Sequence, residues 1–269
     1  MMPATPDLFL LCLVTFLSLI CVGMLTYRQR FKRRKLQQQG VDWLNTLRQL
    51  LAHLQQHRGL SSGFLAGDKE AYNKIQGLSR EIEIDIERIG EIGHWIHQNS
   101  RWQGIVEHWQ RLSSHYASLD WDANIRQHNR ILANLIYLLE DIADAHQLKN
   151  ARSAGEDTPP DWHNLLVMAE HIGQARAIGT AITASGHCDS VSRIQMSYLS
   201  NKLEITSQQD LPPHTRHKLE ELQNCIKDRV MLETPQIDSQ IYFKLATGCL
   251  EDILGEYDKQ ILTLKQQLV

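Results

Sequence analysis

Apolar residues recur at every third or fourth position through most of the chain, which is the spacing of one face of an α-helix. Short polar or proline-containing breaks separate these stretches, the clearest being Asn99-Ser100, Pro159-Pro160 and Pro212-Pro213. Few segments alternate between apolar and polar residues as a strand would. The pattern therefore predicts an all-α protein.

The breaks divide the chain into an N-terminal apolar segment and eight helices. The helices are expected from the segment after 40 to about 67, then at about 69–98, 102–117, 121–149, 162–185, 190–208, 213–233 and 236–269. The polar segment 150–160 separates them into two sets of four, which predicts one N-terminal transmembrane helix followed by two packed up-down four-helix bundles. The predicted divisions are 1–35 for the anchor with its basic flank, 36–150 for the first bundle and 151–269 for the second.

The N-terminal segment has the length of a membrane span. Residues 8–27 form an uncharged run of 20 residues, about 30 Å of helix. A cleaved signal peptide is the alternative, disfavoured because no basic residue precedes the run and no A-x-A-like site follows. Further along the chain, residues 37–40 (Gln-Gln-Gln-Gly) are either a polar hinge or a continuous extension of this helix.

Six cations follow the apolar run, within residues 28–35. The positive-inside rule then predicts a single-pass anchor in the cytoplasmic (inner) membrane with the C-terminal part in the cytoplasm. The same cations are expected to meet anionic lipid head groups, although a stop-transfer role alone would explain them. A reversed topology with a periplasmic domain is the weaker alternative.

The rest of the chain is acidic. The formal charge is −3 overall, and residues 36–269 carry −8 once the basic flank and Asp7 are set aside. So acidic a domain is a poor candidate for binding nucleic acid over a broad surface. It can still hold a small anion where arginines converge, because near charges dominate over screened distant ones.

The sequence predicts neither a metal site nor a cofactor. The five cysteines have no CxxC spacing, so free thiols are expected. The 13 histidines are spread along the helices without the Glu-x-x-His repeats of di-iron bundles, and solvated or capping roles are expected for them. No nucleophile motif, phosphate-binding glycine loop or paired-carboxylate cleft occurs, so the chain is not expected to be an enzyme.

Two helical windows share one arrangement of an arginine beside small residues. In the first, Gln56 and Arg58 precede a stripe of small residues, and in the second Gln174 and Arg176 do the same. The stripe consists of Gly59, Ser62, Gly63 and Ala66 in the first window and of Ala177, Thr180, Ala181 and Ala184 in the second. This agreement indicates a duplicated unit with two guanidinium groups facing a common space.

Two interpretations of these arginines remain open. A guanidinium matches a planar oxyanion through two parallel hydrogen bonds, with hydroxyls such as Ser61, Ser62 and Thr180 as further donors. Alternatively, each arginine forms a structural ion pair with a carboxylate such as Glu170 or Glu140. The duplicated pattern favours the anion pocket slightly. No motif places the other candidate cations, which are Arg193, Arg229 and Lys244.

The first window resembles the glutamine–arginine–glycine motif of the nitrate- and nitrite-sensing (NIT) domain, and Gly173-Gln174-Ala175-Arg176-Ala177 is similar to the later motif of that family. The resemblance covers roughly residues 41–265 and implies two packed four-helix bundles acting as one sensor domain. Family members often have an acidic residue before each arginine, where this chain has His57 and Ala175. We therefore expect the positive charge of each arginine to be less neutralised than in those family members.

The resemblance implies a sensor of nitrate or nitrite. Arg58, Arg176, Ser62 and Thr180 are the expected ligand-binding residues. The expected pocket walls are Gly59, Gly63, Ala177 and Ala181. Binding is expected to shift the packing of the bundles, and because no output module is visible in the chain, a separate protein partner is expected to receive the signal. A homodimer through the first helix is an expectation by analogy, and a ligand-free scaffold that recruits a partner at the inner membrane is the alternative.

Overall fold

The chain is helical throughout the part that the structure describes. This computed structural model describes residues 6–148, 162–206 and 211–268. Its helices are α1 (Pro6–Leu65), α2 (Ala71–Glu91), α3 (Trp95–Gln98), α4 (Ser100–His115), α5 (Trp121–Ala145), α6 (Trp162–Ser185), α7 (Ser190–Thr206), α8 (Pro213–Cys225) and α9 (Ser239–Gln267). No strand occurs in these three ranges, so the predicted all-α class is confirmed. The predicted linker at 150–160 lies outside them.

Helix α1 joins the apolar segment to the first bundle without interruption. It contains 60 residues, about 90 Å at 1.5 Å per residue. Its apolar part has a mean hydropathy of 2.3, and by length and composition this helix can cross a membrane. Residues 10–35 are exposed, and one face is buried from Gln37 onward. The segment 37–40 is therefore a helical extension of the apolar segment and not a hinge.

Two sets of four helices pack around a shared core. The first set is the C-terminal half of α1 with α2, α4 and α5, and the second is α6 to α9. Helix α1 packs on α2 and α5, while α6 packs on α9 and α7. Contacts of α1 with α9 and of α5 with α6 join the sets, whose buried apolar side chains form one cluster. The two-bundle arrangement holds, and a division near residue 150 stays a prediction.

Two of the predicted helices are interrupted. The stretch 69–98 is not one helix, because α2 ends at Glu91 and α3 begins at Trp95. In the gap, the Gln39 side chain donates a 2.7 Å hydrogen bond to the Ile92 carbonyl oxygen. A Cβ atom at Gly93 would stand 2.1 Å from the same Gln39 nitrogen, so a larger residue there would displace the Gln39 side chain. Similarly, α8 ends at Cys225 and a π-helical turn, Ile226–Val230, follows it.

Three consecutive glutamines of α1 contact the C-terminal ends of three different helices. We call Gln37, Gln38 and Gln39 the glutamine row. Their side-chain amides donate to the carbonyl oxygens of Gln147 after α5 (3.0 Å), Leu268 after α9 (3.4 Å) and Ile92 after α2 (2.7 Å). Neighbouring residues of a helix point about 100° apart, so one turn reaches three directions. The row thereby satisfies carbonyl groups that helix ends leave unpaired.

Candidate functional site

A cavity of about 210 Å³ lies between α1 and α6. It is smaller than the roughly 300–1,000 Å³ of pockets for drug-sized ligands. All eight predicted site residues line it, namely Arg58, Gly59, Ser62, Gly63, Arg176, Ala177, Thr180 and Ala181. The structure therefore brings both sequence windows to one space, and the role of these residues in ligand binding stays a prediction.

Arg58 is fixed in the protein interior. Only 1% of its surface is exposed. Its Nη1 atom donates to the Glu170 carboxylate and, at 2.6 Å, to the Asn129 side-chain oxygen. The ion pair with Glu170, one of the two interpretations of the sequence, is thus present. Glu140, the other proposed partner, lies 3.2 Å from His163 instead.

Glu170 belongs to a buried polar network. Besides Arg58, its carboxylate accepts 2.9 Å hydrogen bonds from the side-chain amides of Gln55 and Gln174. Buried ion pairs need such additional hydrogen bonds to offset desolvation. The expectation that Arg58 is less neutralised for want of a preceding acid is therefore wrong, because α6 supplies the carboxylate. The residue at the preceding position, His57, is buried elsewhere, against His128.

The second terminal nitrogen of Arg58, Nη2, is buried without a hydrogen-bond partner among the described residues. It lies beside Gly173, where a Cβ atom would approach it to 2.7 Å. Both residues line the cavity. An unsatisfied buried guanidinium nitrogen is costly, so the site holds a donor suited to an added acceptor.

Arg176 has a different environment. Its guanidinium lies 5.2 Å from the centre of the Phe243 ring, and its Nη1 atom donates to the Thr247 hydroxyl at 3.2 Å. No carboxylate lies within 4 Å of it in the described parts of the chain. Burial, and then the charge of Arg58, lower the pKa of Arg176 to about 10. Arg176 is consequently charged at neutral pH and half-buried.

Two hydroxyl groups complete the polar lining. Thr180 Oγ1 is buried and has no hydrogen-bond partner in the described ranges. Ser62 Oγ accepts a 3.1 Å hydrogen bond from the Asn124 side-chain amide, so its own hydrogen is left for another acceptor. With two arginines and one glutamate, the formal charge of the ionisable groups around the cavity is +1. That charge matches a monovalent anion.

Several contributors to the site were not predicted. Gln55, rather than the exposed Gln56, contacts Glu170. Trp121 and Phe243 supply aromatic walls, and Gly173 makes room for Arg58. The position three residues before Arg58 was a usable signal for Gln55, whereas nothing in the sequence points to the aromatic walls. The candidate cations Arg193, Arg229 and Lys244 do not line this cavity.

The histidines of the described ranges do not gather into a cluster of metal ligands. No group of three or more potential ligands occurs in the described ranges. His57 and His128 instead form a buried pair, with His57 Nδ1 and His128 Nε2 2.8 Å apart, against the ring of Trp109. Burial lowers the pKa of His57 to about 4, and burial and the neighbouring His57 lower that of His128. Both are therefore neutral core residues, a role the sequence did not indicate.

Comparison with known proteins defines the class to which this fold and cavity belong. The family model described as nitrate and nitrite sensing (NIT) matches residues 49–261. No curated protein sequence matches. Among solved structures, that of the NasR transcription antiterminator is similar, with a TM-score of 0.68, 15% identity, and coverage of 93% of this chain and 74% of that one.

The chain belongs to the NIT family, since the match covers well over half of its length. This is a sensory family and not a family of enzymes. The likeness to the NasR antiterminator adds agreement of the fold alone, because the two sequences are only 15% identical.

Proposed function

We propose that this protein is a membrane-anchored sensor that binds nitrate or nitrite in the cavity between α1 and α6. The observation that carries the proposal is the set of unused donors around one small space. Arg58 Nη2 and Thr180 Oγ1 are both buried without partners in the described ranges, and the charged Arg176 faces no carboxylate at close range. Unpaired donors of this kind are costly unless a ligand satisfies them.

The lining suits a small planar oxyanion. Arg58 is held by Glu170 and Asn129 and presents Nη2 in a fixed direction, which lowers the entropy cost of binding. Arg176 adds the net charge and can adjust to the ligand. Small side chains on α1 and α6 make space, and Trp121 and Phe243 limit its size. Nitrate and nitrite each accept two parallel hydrogen bonds from one guanidinium.

Helix α9 offers a route for the signal. Phe243 and Thr247, which contact Arg176, belong to α9. Further along, the Tyr257 hydroxyl donates to the Leu44 carbonyl oxygen of α1 at 3.3 Å. When Arg176 turns from its contacts on α9 toward a bound anion, α9 loses these contacts and its packing against α1 changes. The ligand shifts this equilibrium by its difference in affinity for the two arrangements.

The anchor determines where the signal emerges. We place residues 8–27 in the inner membrane, with the six cations of 28–35 on the cytoplasmic side beside anionic lipid. We place residues 36–269 in the cytoplasm as one NIT sensor domain of two bundles. A protein partner carrying the output, and a homodimer paired through α1, complete this proposal. Nucleic acid is not proposed as a ligand, given the charge of −8 in this region.

A second candidate is a scaffold without a ligand. It is favoured by the ion pair of Arg58 with Glu170, because this pair already neutralises one arginine. In that case the cavity holds only water, and the protein recruits a partner at the membrane surface.

Calorimetric titration of the full chain in detergent micelles separates the two. We expect tight binding of nitrate or nitrite and much weaker binding of chloride. Arg176→Met should abolish the signal and Arg176→Lys should weaken it, since lysine keeps the charge without the planar pair of donors. Arg193→Met on α7, outside the cavity, is the matched control and should bind as the wild type does. Absence of heat with both oxyanions would favour the scaffold.

A further inference from the structure

Within the described residues, the side chain of Asn124 makes the only hydrogen bond between α5 and a hydroxyl group of the cavity lining. Asn124 is fully buried. Its Nδ2 atom donates to Ser62 Oγ at 3.1 Å and to Ser61 Oγ at 3.0 Å. Ser62 lines the cavity and Ser61 does not. One amide group therefore holds two neighbouring serines that differ in their access to the site.

The chemistry of the amide decides which way the Ser62 hydroxyl points. An NH₂ group has two hydrogens and no lone pair to offer, so the Ser62 oxygen must accept from it. The Ser62 hydrogen then needs another acceptor, and the described residues provide none for it. Ser61 differs, because its own hydrogen is used on the Arg58 carbonyl or the Asn124 side-chain oxygen, both at 3.2 Å.

Asn124 is itself held rigidly at the start of α5. Its backbone amide donates to the Asp120 carbonyl oxygen at 3.0 Å, and Asp120 caps the helix through the Ala123 amide. One turn further, His128 Nδ1 donates to the Asn124 carbonyl oxygen at 2.8 Å. The same first turn carries Trp121, a wall of the cavity. The backbone of Asn124 is thus fixed by the fold, and its side-chain amide is held by the hydrogen bonds to Ser61 and Ser62.

We infer that Asn124 is a positioning residue, which makes the Ser62 hydroxyl a hydrogen-bond donor to the bound anion and so favours oxyanions over halide. This inference rests on the proposed function. A donor in a fixed direction suits a ligand whose acceptor oxygens are arranged in a plane, whereas chloride has no preferred direction. Asn124 acts through Ser62 and does not touch the ligand.

A double-mutant cycle tests the inference. Nitrate affinity is measured calorimetrically on the full chain in detergent micelles for the wild type, Ser62→Ala, Asn124→Ala and the double variant. We expect each single variant to bind roughly ten-fold more weakly, the effect of losing one hydrogen bond to a charged ligand. The double variant should bind no more than about two-fold more weakly than Ser62→Ala. The ratio of nitrate to chloride affinity should fall in all three.

Ser61→Ala is the matched control, because it removes the other hydroxyl held by Asn124. It should leave nitrate affinity within about two-fold of the wild type. If Asn124→Ala does not fold, Asn124→Asp replaces it. A carboxylate only accepts, so it would reverse the Ser62 hydrogen bond, and nitrate affinity should fall further than in Ser62→Ala. The same substitution in the Ser62→Ala background measures the effect of the charge alone.

The outcomes distinguish this inference from the proposed function. Binding by the wild type with independent, additive losses from Asn124 and Ser62 would overturn the inference and leave the nitrate site standing. An unchanged affinity in Asn124→Ala would do the same. Absence of nitrate and nitrite binding by the wild type would overturn both.

Discussion

Gly173 lies so close to Arg58 that a Cβ atom at residue 173 would stand 2.7 Å from Arg58 Nη2. The two residues belong to α6 and α1, so this approach joins the two bundles at the candidate site. Nη2 is the buried guanidinium nitrogen without a partner in the described ranges. A substitution that displaces Nη2 therefore changes both the packing of α1 against α6 and the proposed binding geometry.

We therefore expect Gly173→Ala to weaken nitrate binding at least ten-fold. The added methyl group would push Nη2 away and disturb the pair with Glu170, and the overpacking should lower the free energy of unfolding by about 1–3 kcal/mol. Calorimetry and denaturant unfolding measure the two effects. Gly104→Ala on α4, where a Cβ meets open space, is the control and should gain up to about 1 kcal/mol. Unchanged binding in Gly173→Ala would contradict the proposed role of Nη2.

Replacing Glu170 by glutamine should make the anion more important for stability. Glu170→Gln leaves the buried Arg58 charge without its carboxylate, and such changes lower the free energy of unfolding by about 3–5 kcal/mol. Because nitrate can then supply the missing negative charge, the stabilisation at saturating nitrate should exceed that of the wild type. Thermal unfolding with and without nitrate measures the difference.

Asp141→Asn, which breaks the half-exposed pair with Arg101, provides the comparison for Glu170→Gln. It should cost less than about 1 kcal/mol and leave the response to nitrate unaltered. A response to nitrate in Glu170→Gln that is smaller than in the wild type would contradict an anion site beside Arg58.

Filling the cavity from α1 should remove binding while leaving the fold intact. A Cβ atom at Gly63 meets nothing within 4 Å, so Gly63→Met can extend its side chain into the open space. We expect an unfolding midpoint similar to that of the wild type and loss of the nitrate-induced increase. Gly77→Met on α2 also enters open space, away from the cavity, and should keep the increase. If Gly63→Met still responds to nitrate, the ligand binds elsewhere.

The buried histidine pair predicts a stability that falls in acid. The pKa of His57 is lowered to about 4 in the folded protein, against about 6.5 when unfolded. Between these values the unfolded chain binds more protons, so the free energy of unfolding decreases as the pH falls from about 6.5 toward 4. The shift corresponds to roughly 3 kcal/mol. Above pH 6.5 this contribution is complete.

Unfolding by urea at several pH values measures this slope. In His57→Asn the decline between pH 6.5 and 4 should be shallower than in the wild type, because one lowered pKa is gone. His94→Asn, at an exposed position, should reproduce the wild-type slope. A wild-type stability that is independent of pH in this window would show that the pair is not kept neutral.

The helical pattern and the two motifs could be predicted because both depend on spacing within single helices. Apolar positions three or four apart defined the helices, and two equivalent windows placed Arg58 and Arg176 at one site. Interactions between helices could not be predicted in the same way. Glu170 lies 112 residues from Arg58, and spacing along the chain does not identify which carboxylate faces which arginine. The hydrogen bond from Gln39 to Ile92 in the gap before Trp95 is likewise a contact between helices.

The histidines illustrate the same limit. Histidine is intermediate in burial among the residue types, so the sequence alone does not show whether a given histidine is buried. His57 and His128 share one hydrogen bond in the core, and this contact appears only when α1 and α5 are adjacent. The aromatic walls Trp121 and Phe243 come from the first turns of α5 and α9, so they too depend on how the helices are assembled.

If α1 is anchored in the membrane as proposed, the glutamine row makes the lipid bilayer part of the energetics of the domain. Because α1 is continuous, an axial displacement or rotation of its apolar segment moves Gln37, Gln38 and Gln39 together against three helix ends. A displacement of one residue's rise, about 1.5 Å, is enough to lengthen hydrogen bonds of 2.7 to 3.4 Å beyond their favourable range. In that arrangement, bilayer thickness acts on the same helix ends as the packing of α2, α5 and α9, and lipid composition becomes a variable of the proposed sensor's resting state.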